Sequence, residues 1–393
     1  MSKNIELTDK FVLKTYSRES LTFVKAKGSY LWDEDGNKYL DLFPGWGVGN
    51  IGHIHPKVKS AIKDQVDKML HMPNNFYSKL QGELAEKLIS CSFPGRVFFS
   101  NSGAEANECA LKLARAYGNP KGKNVILTAK KSFHGRTLAT VTLTGQEKYQ
   151  AGFEPLLPNV KYFEFNDIVS FDNVFDENVC AVFIEIIQGE GGVRVADKKF
   201  IEHLRSKTKE NNSLLIIDEV QTGVGRTGKF FAFENYDIIP DAVSMAKALG
   251  GGVPIGATIV NEKFIDVLGP GKHASTFGGN SLACRAAIAV LDVMENEKIL
   301  QKMRSKSKEL FKHLKKFKKK FPFIKEVRGM GLMAGIEMEG ELAKEFFKKA
   351  IDRKCIVNYT AGCVVRLMPA LNIKRKDLLE GLKIMEEILY ELG

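Results

Sequence analysis

The sequence predicts an α/β fold: a large layered domain around a mainly parallel sheet, followed by a smaller α+β unit. Three observations predict it. At 393 residues the chain exceeds the ~250–300 residues at which single cores stop growing, so two domains are expected. Short apolar runs alternate with helix-period segments through its middle. Two of those runs, CAVFIEII (180–187) and LLIIDEV (214–220), are almost wholly apolar, as strands covered on both faces are.

In chain order, residues 21–42 alternate turns with strand-like runs. Asp35-Gly36-Asn37 between Tyr30-Leu31-Trp32 and Tyr39-Leu40 signals a hairpin. From His55-Pro56 the period becomes helical: Val58, Ile62, Val66 and Met69 mark one helix, and Leu80, Leu84 and Leu88 a second. Residues 96–100 read as a strand, about 104–117 as a helix and 124–128 as a strand. A helix is expected over 198–210, with further strands at 242–245 and 256–260. After Asn280 the pattern changes to helices over about 281–319, broken once, and a strand region near 331–337. A helix near 341–353, a strand pair around 355–367 and a final helix from about Lys376 complete the smaller unit.

Composition excludes several functions. No apolar run approaches the ~18–20 residues that cross a bilayer, and the start, MSKNIELTDKF, is too charged for a secretory signal, so a cytoplasmic location is expected. Six cysteines lie scattered without paired spacing and read as reduced thiols. The net charge of +11 invites a nucleic-acid reading, yet the densest basic run, KHLKKFKKK (312–320), keeps Leu310, Leu314, Phe317 and Phe321 at helical spacing. Its lysines are therefore expected on a solvated helix face, and the excess charge suits anionic small substrates. Gly223 to Gly228 spells G-x-G-x-x-G, but the aromatic KFFAFENYDIIPD follows where a helix would have to start, and Phe230 stands where a P-loop needs Ser or Thr. His53 and His55 have no third ligand at metal spacing, and no G-x-S-x-G nucleophile elbow exists.

The chemistry gathers elsewhere. Asp218 closes the apolar run Leu214 to Ile217 and should stand at the carboxyl end of a central strand, where such sheets bind ligands. Alone it would read as half of a salt bridge. Lys247 ends another apolar stretch and precedes three successive glycines. A lysine and a carboxylate drawn toward a core are both costly. An aldehyde cofactor held by the lysine as a Schiff base, its ring nitrogen held by the carboxylate, answers both anomalies. NSGAEANE (101–108) offers a helix N-terminus for the phosphate such a cofactor carries, although Ser102 and Glu105 could equally form a capping box.

With these residues, FHGRT (133–137), EIIQGEGG (185–192), IIDEVQTGVGRTG (216–228), MAKALGGGVPIGA around Lys247 and STFGGN (275–280) make the chain resemble the class III aminotransferases, from GSYLWDEDGNKYLD to VRLMPALNI and in the same order. Within that class it is most similar to the acetylornithine/ornithine group. The resemblance implies the fold type I of pyridoxal-phosphate-dependent transferases with a seven-stranded large sheet. It implies residues 49–282 as the cofactor-binding domain, 283–393 as the small domain and 1–48 as a segment packing on the latter. It further implies pyridoxal 5'-phosphate on Lys247, Asp218 at the ring nitrogen, Phe133 and Val220 on the two ring faces, and Gln221 near the phenolic oxygen. Ser102, Gly103 and Ala104 would hold the phosphate, and Thr276 would reach the phosphate of a neighbouring subunit in a homodimer. Arg136 would bind a substrate carboxylate. Glu190 would mask Arg366 for a diamino substrate and expose it for glutamate, unless the two form only a structural ion pair. The implied reaction passes the amino group of N2-acetylornithine to 2-oxoglutarate, a step of arginine biosynthesis. Ornithine, succinylornithine or 4-aminobutyrate as donor, or an aminomutase of the same fold, are the alternatives. Ile186 and Ala370 stand where the family commonly has proline, and Trp46, also less usual, is expected at the substrate entrance.

Overall fold

The strands Val179–Glu185 and Leu214–Asp218 are buried along their whole length, which is why their sequence is nearly continuous in apolar residues. They form the centre of a seven-stranded sheet in the computed structural model, which describes residues 3–393. In chain order its strands are β1 (Gly95–Ser100), β2 (Val125–Ala129), β3 (Val160–Phe163), β4 (Val179–Glu185), β5 (Leu214–Asp218), β6 (Ala242–Met245) and β7 (Gly256–Asn261). Across the sheet they lie in the order β1-β7-β6-β5-β4-β2-β3. Only β7 runs against its neighbours β6 and β1; β6, β5, β4, β2 and β3 are parallel to one another. Parallel neighbours need crossovers rather than tight turns. Helix α1 (Gly103–Gly118) supplies one after β1 and α2 (Lys198–Glu210) another after β4. Ala106, Ala110 and Ala114 recur every fourth residue on the buried face of α1, and their small side chains let it lie close on the sheet.

Boundaries differ from expectation where a side chain or a second pairing intervenes. β4 stops at Glu185, because Ile187–Gln188 leaves to pair with Arg194–Val195. β5 stops at Asp218, whose Oδ1 accepts the backbone N–H of Val220 at 2.9 Å and turns the chain. The helix Pro56–Val66 ends before Met69, which is exposed in the turn beyond. The helix Lys3–Phe11 and the edge strand β3 were not legible, having no buried helical face in the first case and one fully buried residue in the second.

The expected hairpin joins Tyr30–Asp33 to Lys38–Asp41, with Gly36 at φ +82° and Asp33 Oδ1 accepting the Asn37 N–H at 2.7 Å. Cys355–Ile356 adds to the same sheet beside Lys38–Asp41, joining an early and a late segment of the chain. The helices Ser281–Asn296 and Ile299–Lys320 are separated at Lys298, which takes φ +51°. The single strand expected near 331–337 is half of a hairpin, Ile324–Met330 with Met333–Met338, to which Val364–Leu367 and then Asn358–Thr360 add antiparallel. In the lysine-rich helix Leu310, Leu314 and Phe317 are buried and the lysines from 315 to 320 exposed. All six cysteines are free thiols, and no described helix is long and apolar enough to cross a membrane.

Candidate active site

The carboxyl ends of β1, β2, β4, β5 and β6, with the segments that follow them, open on one cavity of about 420 Å³. Asp218, the last residue of β5, is 4 % exposed there. Among the described residues no lysine or arginine is paired with it. Its Oδ2 accepts from Asn107 Nδ2 and from His134 Nδ1, both at 2.8 Å, and its Oδ1 from the Val220 backbone. Lys247 follows β6 and takes φ +45°, a left-handed conformation that costs a non-glycine residue about 1–2 kcal/mol. Burial holds its pKa below that of an ordinary lysine, against the pull of Glu190 and Asp218. No hydrogen bond or ion pair occupies its Nζ among the described residues, so a strained, half-buried amine faces the cavity as a free nucleophile.

Helix α1 starts at the cavity wall. Ser102 is its N-cap, and its Oγ accepts the Glu105 N–H at 3.2 Å. The reciprocal half of a capping box is missing: Glu105 Oε2 takes the N–H of Asn101 at 2.5 Å instead of that of Ser102. The Ser102 hydroxyl hydrogen and the first backbone N–H groups of the helix thus remain for an anion. Gly103 is required by close approach, since a Cβ there would lie 2.7 Å from Val220 Cγ1. Phe133 lines the same cavity, and its backbone N–H donates to Glu185 Oε2 at 3.0 Å.

Arg366, on Val364–Leu367, is fully buried behind the wall. It donates from Nη1 to Glu190 Oε1 at 2.6 Å and to Gln221 Oε1 at 3.4 Å, and from Nη2 to Asn358 Oδ1 at 2.8 Å. Its guanidinium also sits 4.8 Å from the centre of the Phe43 ring. Burial raises the Glu190 pKa, but Arg366, with Lys247 and Gln221, more than offsets this and holds the carboxyl below its usual range. Glu190 and Gln221, which line the cavity, therefore cover Arg366. Arg136 is exposed and stacks 4.1 Å from the Tyr149 ring centre, with no carboxylate in salt-bridge reach among the described residues. Its fork is free for a substrate carboxylate. Arg136→Ala should raise KM for carboxylate substrates by roughly 10–100-fold, the worth of a charged hydrogen bond, with a smaller effect on kcat. Steady-state kinetics on both substrates checks this, and unchanged KM values would remove Arg136 from the site.

Residues 14–389 match the family model described as Aminotransferase class-III. The chain belongs to the class-III aminotransferases. Its relatives include the acetylornithine aminotransferases of Caldanaerobacter subterraneus, 45 % identical over 98 % of both chains, and of Aquifex aeolicus, 45 % identical over 96 % of this chain and 100 % of that one. Among solved structures, the ornithine aminotransferase of Toxoplasma gondii covers 99 % of this chain and 94 % of its own with a TM-score of 0.95 at 30 % identity. The acetylornithine aminotransferase of Elizabethkingia anophelis reaches 0.87 at 33 % identity, over 99 % and 98 % of the two chains.

Enzymes of this family depend on pyridoxal 5'-phosphate, and the residues of this aminotransferase fit it. An unpaired, half-buried amine (Lys247), a carboxylate held by donors from Asn107, His134 and Val220 (Asp218) and a helix N-terminus with a spare hydroxyl (Ser102) meet in one cavity, beside the ring of Phe133. Gln221 is fixed against the backbone of Gly189, where a Cβ would collide with its amide.

Of the other site residues read from the sequence, Ala104, Val220 and Glu190 also line the cavity, and Thr276 does not. Thr276 is exposed on a loop tied down by Asn74, whose Nδ2 donates to the carbonyls of Ser275 and Gly278 at 2.8 and 2.9 Å. Trp46 is 53 % exposed and packs edge-on against Phe43, while Val48, two residues on, reaches the wall. The glycine-rich turn after Gln221 opens no helix; its Arg226 is buried, donating to the carbonyls of Leu332 at 2.9 Å and Pro369 at 2.6 Å, and the turn is a structural clasp. His53 bonds Asp41 at 2.7 Å, and His55 is the residue before the helix at Pro56. Sequence reasoning gave no role to Asn107, His134, Glu185 or Asn358. Asn107 had a signal, standing one turn after Gly103 on the same helix face.

Proposed function

We propose that the protein transfers the terminal amino group of N2-acetylornithine to 2-oxoglutarate, releasing N-acetylglutamate 5-semialdehyde and glutamate in arginine biosynthesis. The observation that carries this reading is the fully buried Arg366 neutralised by Glu190 at the cavity wall. One pocket must accept a donor side chain without a terminal carboxylate and then a dicarboxylate, and a maskable arginine meets both needs. Acetylornithine aminotransferases that are 41–45 % identical over nearly the whole chain support the donor.

Bound pyridoxal phosphate supplies an aldehyde for the amine and a cationic ring that takes up electrons. Lys247 would hold it at rest. Freed from that bond while a donor occupies the site, the Lys247 Nζ would take the proton from the amine-bearing carbon of the donor and, in the second half of the cycle, give a proton to the carbon of 2-oxoglutarate that becomes amine-bearing. Asp218, oriented by His134 and Asn107, would keep a proton on the ring nitrogen. Ser102, Gly103 and Ala104 would hold the phosphate, Phe133 and Val220 would flank the ring, and Gln221 would serve its phenolic oxygen. Arg136 fixes a substrate carboxylate, and Arg366 takes the second carboxylate of 2-oxoglutarate when Glu190 moves aside. Thr276 completes the phosphate site of a second copy in a homodimer, and its exposure outside its own cavity is in keeping with that role. Residues 49–282 carry the cofactor, 283–393 form the small domain with 1–48 against it, and the enzyme works in the cytoplasm.

The test is a half-reaction screen without keto acid, following loss of the bound cofactor's visible absorbance with acetylornithine, ornithine, succinylornithine and 4-aminobutyrate. Fast loss with acetylornithine, reversed by 2-oxoglutarate, supports the proposal; preference for another amine refutes the donor. Ornithine is the second reading, favoured by the 0.95 TM-score to an ornithine aminotransferase. Thr276→Ala should weaken cofactor retention about tenfold or more, the loss of a hydrogen bond to a charged group. Equilibrium dialysis measures it, and unchanged retention would place Thr276 away from the phosphate.

A further inference from the structure

Glu185 ends β4 directly beside Asp218 at the end of β5; the two are register partners in adjacent parallel strands. Both are buried, at 6 % and 4 % exposure, and both line the cavity. Two carboxylates so placed cannot both be ionised at low cost, and the proton belongs on the one with fewer donors. The donors are divided unequally. Asp218 receives Asn107, His134 and the Val220 N–H, which satisfies both of its oxygens. Glu185 receives one, the Phe133 N–H on Oε2.

We propose that Glu185 is a positioning residue that works as a neutral carboxylic acid, anchoring the backbone of Phe133 through Oε2 and presenting its hydrogen to the cavity from Oε1. The anchor matters because Phe133 and Arg136 belong to one short segment between β2 and the helix Leu138–Leu143, and the Arg136 guanidinium lies 5.4 Å from the Phe133 ring centre. Loosening Phe133 moves both a cavity wall and the free guanidinium. Neutrality matters because an ionised Glu185 would compete with Asp218 for the positive charge of the site. Burial and the neighbouring Asp218 carboxylate push the Glu185 pKa well above the usual range, helped by Glu190 and opposed by the Phe133 N–H and Lys247. Glu190 is itself engaged by Arg366, and burial weakens the charge on Lys247.

The decisive variant is Glu185→Gln, which keeps an acceptor for Phe133 and a donor toward the cavity but cannot ionise. Infrared difference spectra of full-length wild type minus Glu185→Gln, with and without cofactor at pH 7, should show the carbonyl band of a protonated carboxylic acid in wild type only. Kinetics of this variant should stay close to wild type, whereas Glu185→Leu should lose roughly 10–100-fold in kcat/KM, as slight misplacement does, with the KM of carboxylate substrates raised. An unchanged infrared band, a loss of tenfold or more in kcat for folded Glu185→Gln, or wild-type kinetics for Glu185→Leu overturns the proposal. Should Glu185→Gln not fold, the band is sought in Glu219→Gln, which removes another buried acid whose pKa burial raises to about 7; its absence at pH 7 overturns the proposal equally. The kinetic arm rests on the amino-transfer reading above and the infrared arm does not, so the two fail separately.

Discussion

Lys247→Ala is expected to abolish turnover while leaving the chain folded. The loss should be roughly 10⁴-fold or more, beyond the 10²–10⁴-fold of a general acid–base alone, because the nucleophile and the proton carrier disappear together. Stability should hardly suffer. Nζ has no partner among the described residues, and removing a half-buried amine relieves the desolvation that depresses its pKa. The backbone strain at φ +45° remains in alanine, which is a further reason to attribute any lost activity to the amine. Cofactor should still bind through the α1 N-terminus and Asp218, but more weakly and without the absorbance of the lysine-linked form. Turnover and visible spectra check this together, and near-normal turnover would strip Lys247 of its role.

How far such a site is legible in a sequence depends on which step of structure fixes each residue. Lys247 and Asp218 were readable because their anomaly is compositional: a charge at the end of an apolar strand has to be explained. Ser102 to Ala104 were readable because a turn followed at once by a helix is a local event. The sheet itself followed from the continuous burial of β4 and β5, while β3, with Phe163 its one fully buried residue, gave no pattern to read. His134 and Glu185 stood inside quoted motifs but carried no role, because their importance arises only from neighbours distant in the chain. His134 meets Asp218 across 84 positions, and Glu185 becomes unusual only when strand register sets it beside Asp218. Glu190 and Arg366, 176 positions apart, were found through the family resemblance alone, since no local rule joins them.

Asp218→Asn should cost about 10²–10³-fold in kcat, the scale seen when a preorganised electrostatic group is removed. Charge is the first reason: an amide cannot hold a proton on a ring nitrogen as a carboxylate does. Geometry is the second. Asn107 Nδ2 and His134 Nδ1 both donate to Oδ2, and the Val220 N–H donates to Oδ1. An amide has only one oxygen, so in either orientation its NH₂ confronts a donor. Turned toward Val220, it opposes a backbone N–H that cannot adapt. Turned toward His134, it forces the ring to present Nδ1 as an acceptor and to carry its hydrogen on Nε2, which is buried without a partner now. Each mispairing costs roughly 1–3 kcal/mol, so Tm should fall as well. Asn107→Ala, which removes one donor and leaves the charge, should be the milder change in rate. If Asp218→Asn kept the wild-type kcat, the carboxylate would be only a structural hub for His134, Asn107 and Val220. If Asn107→Ala were the more damaging of the two, the amide rather than the carboxylate would be what the site depends on.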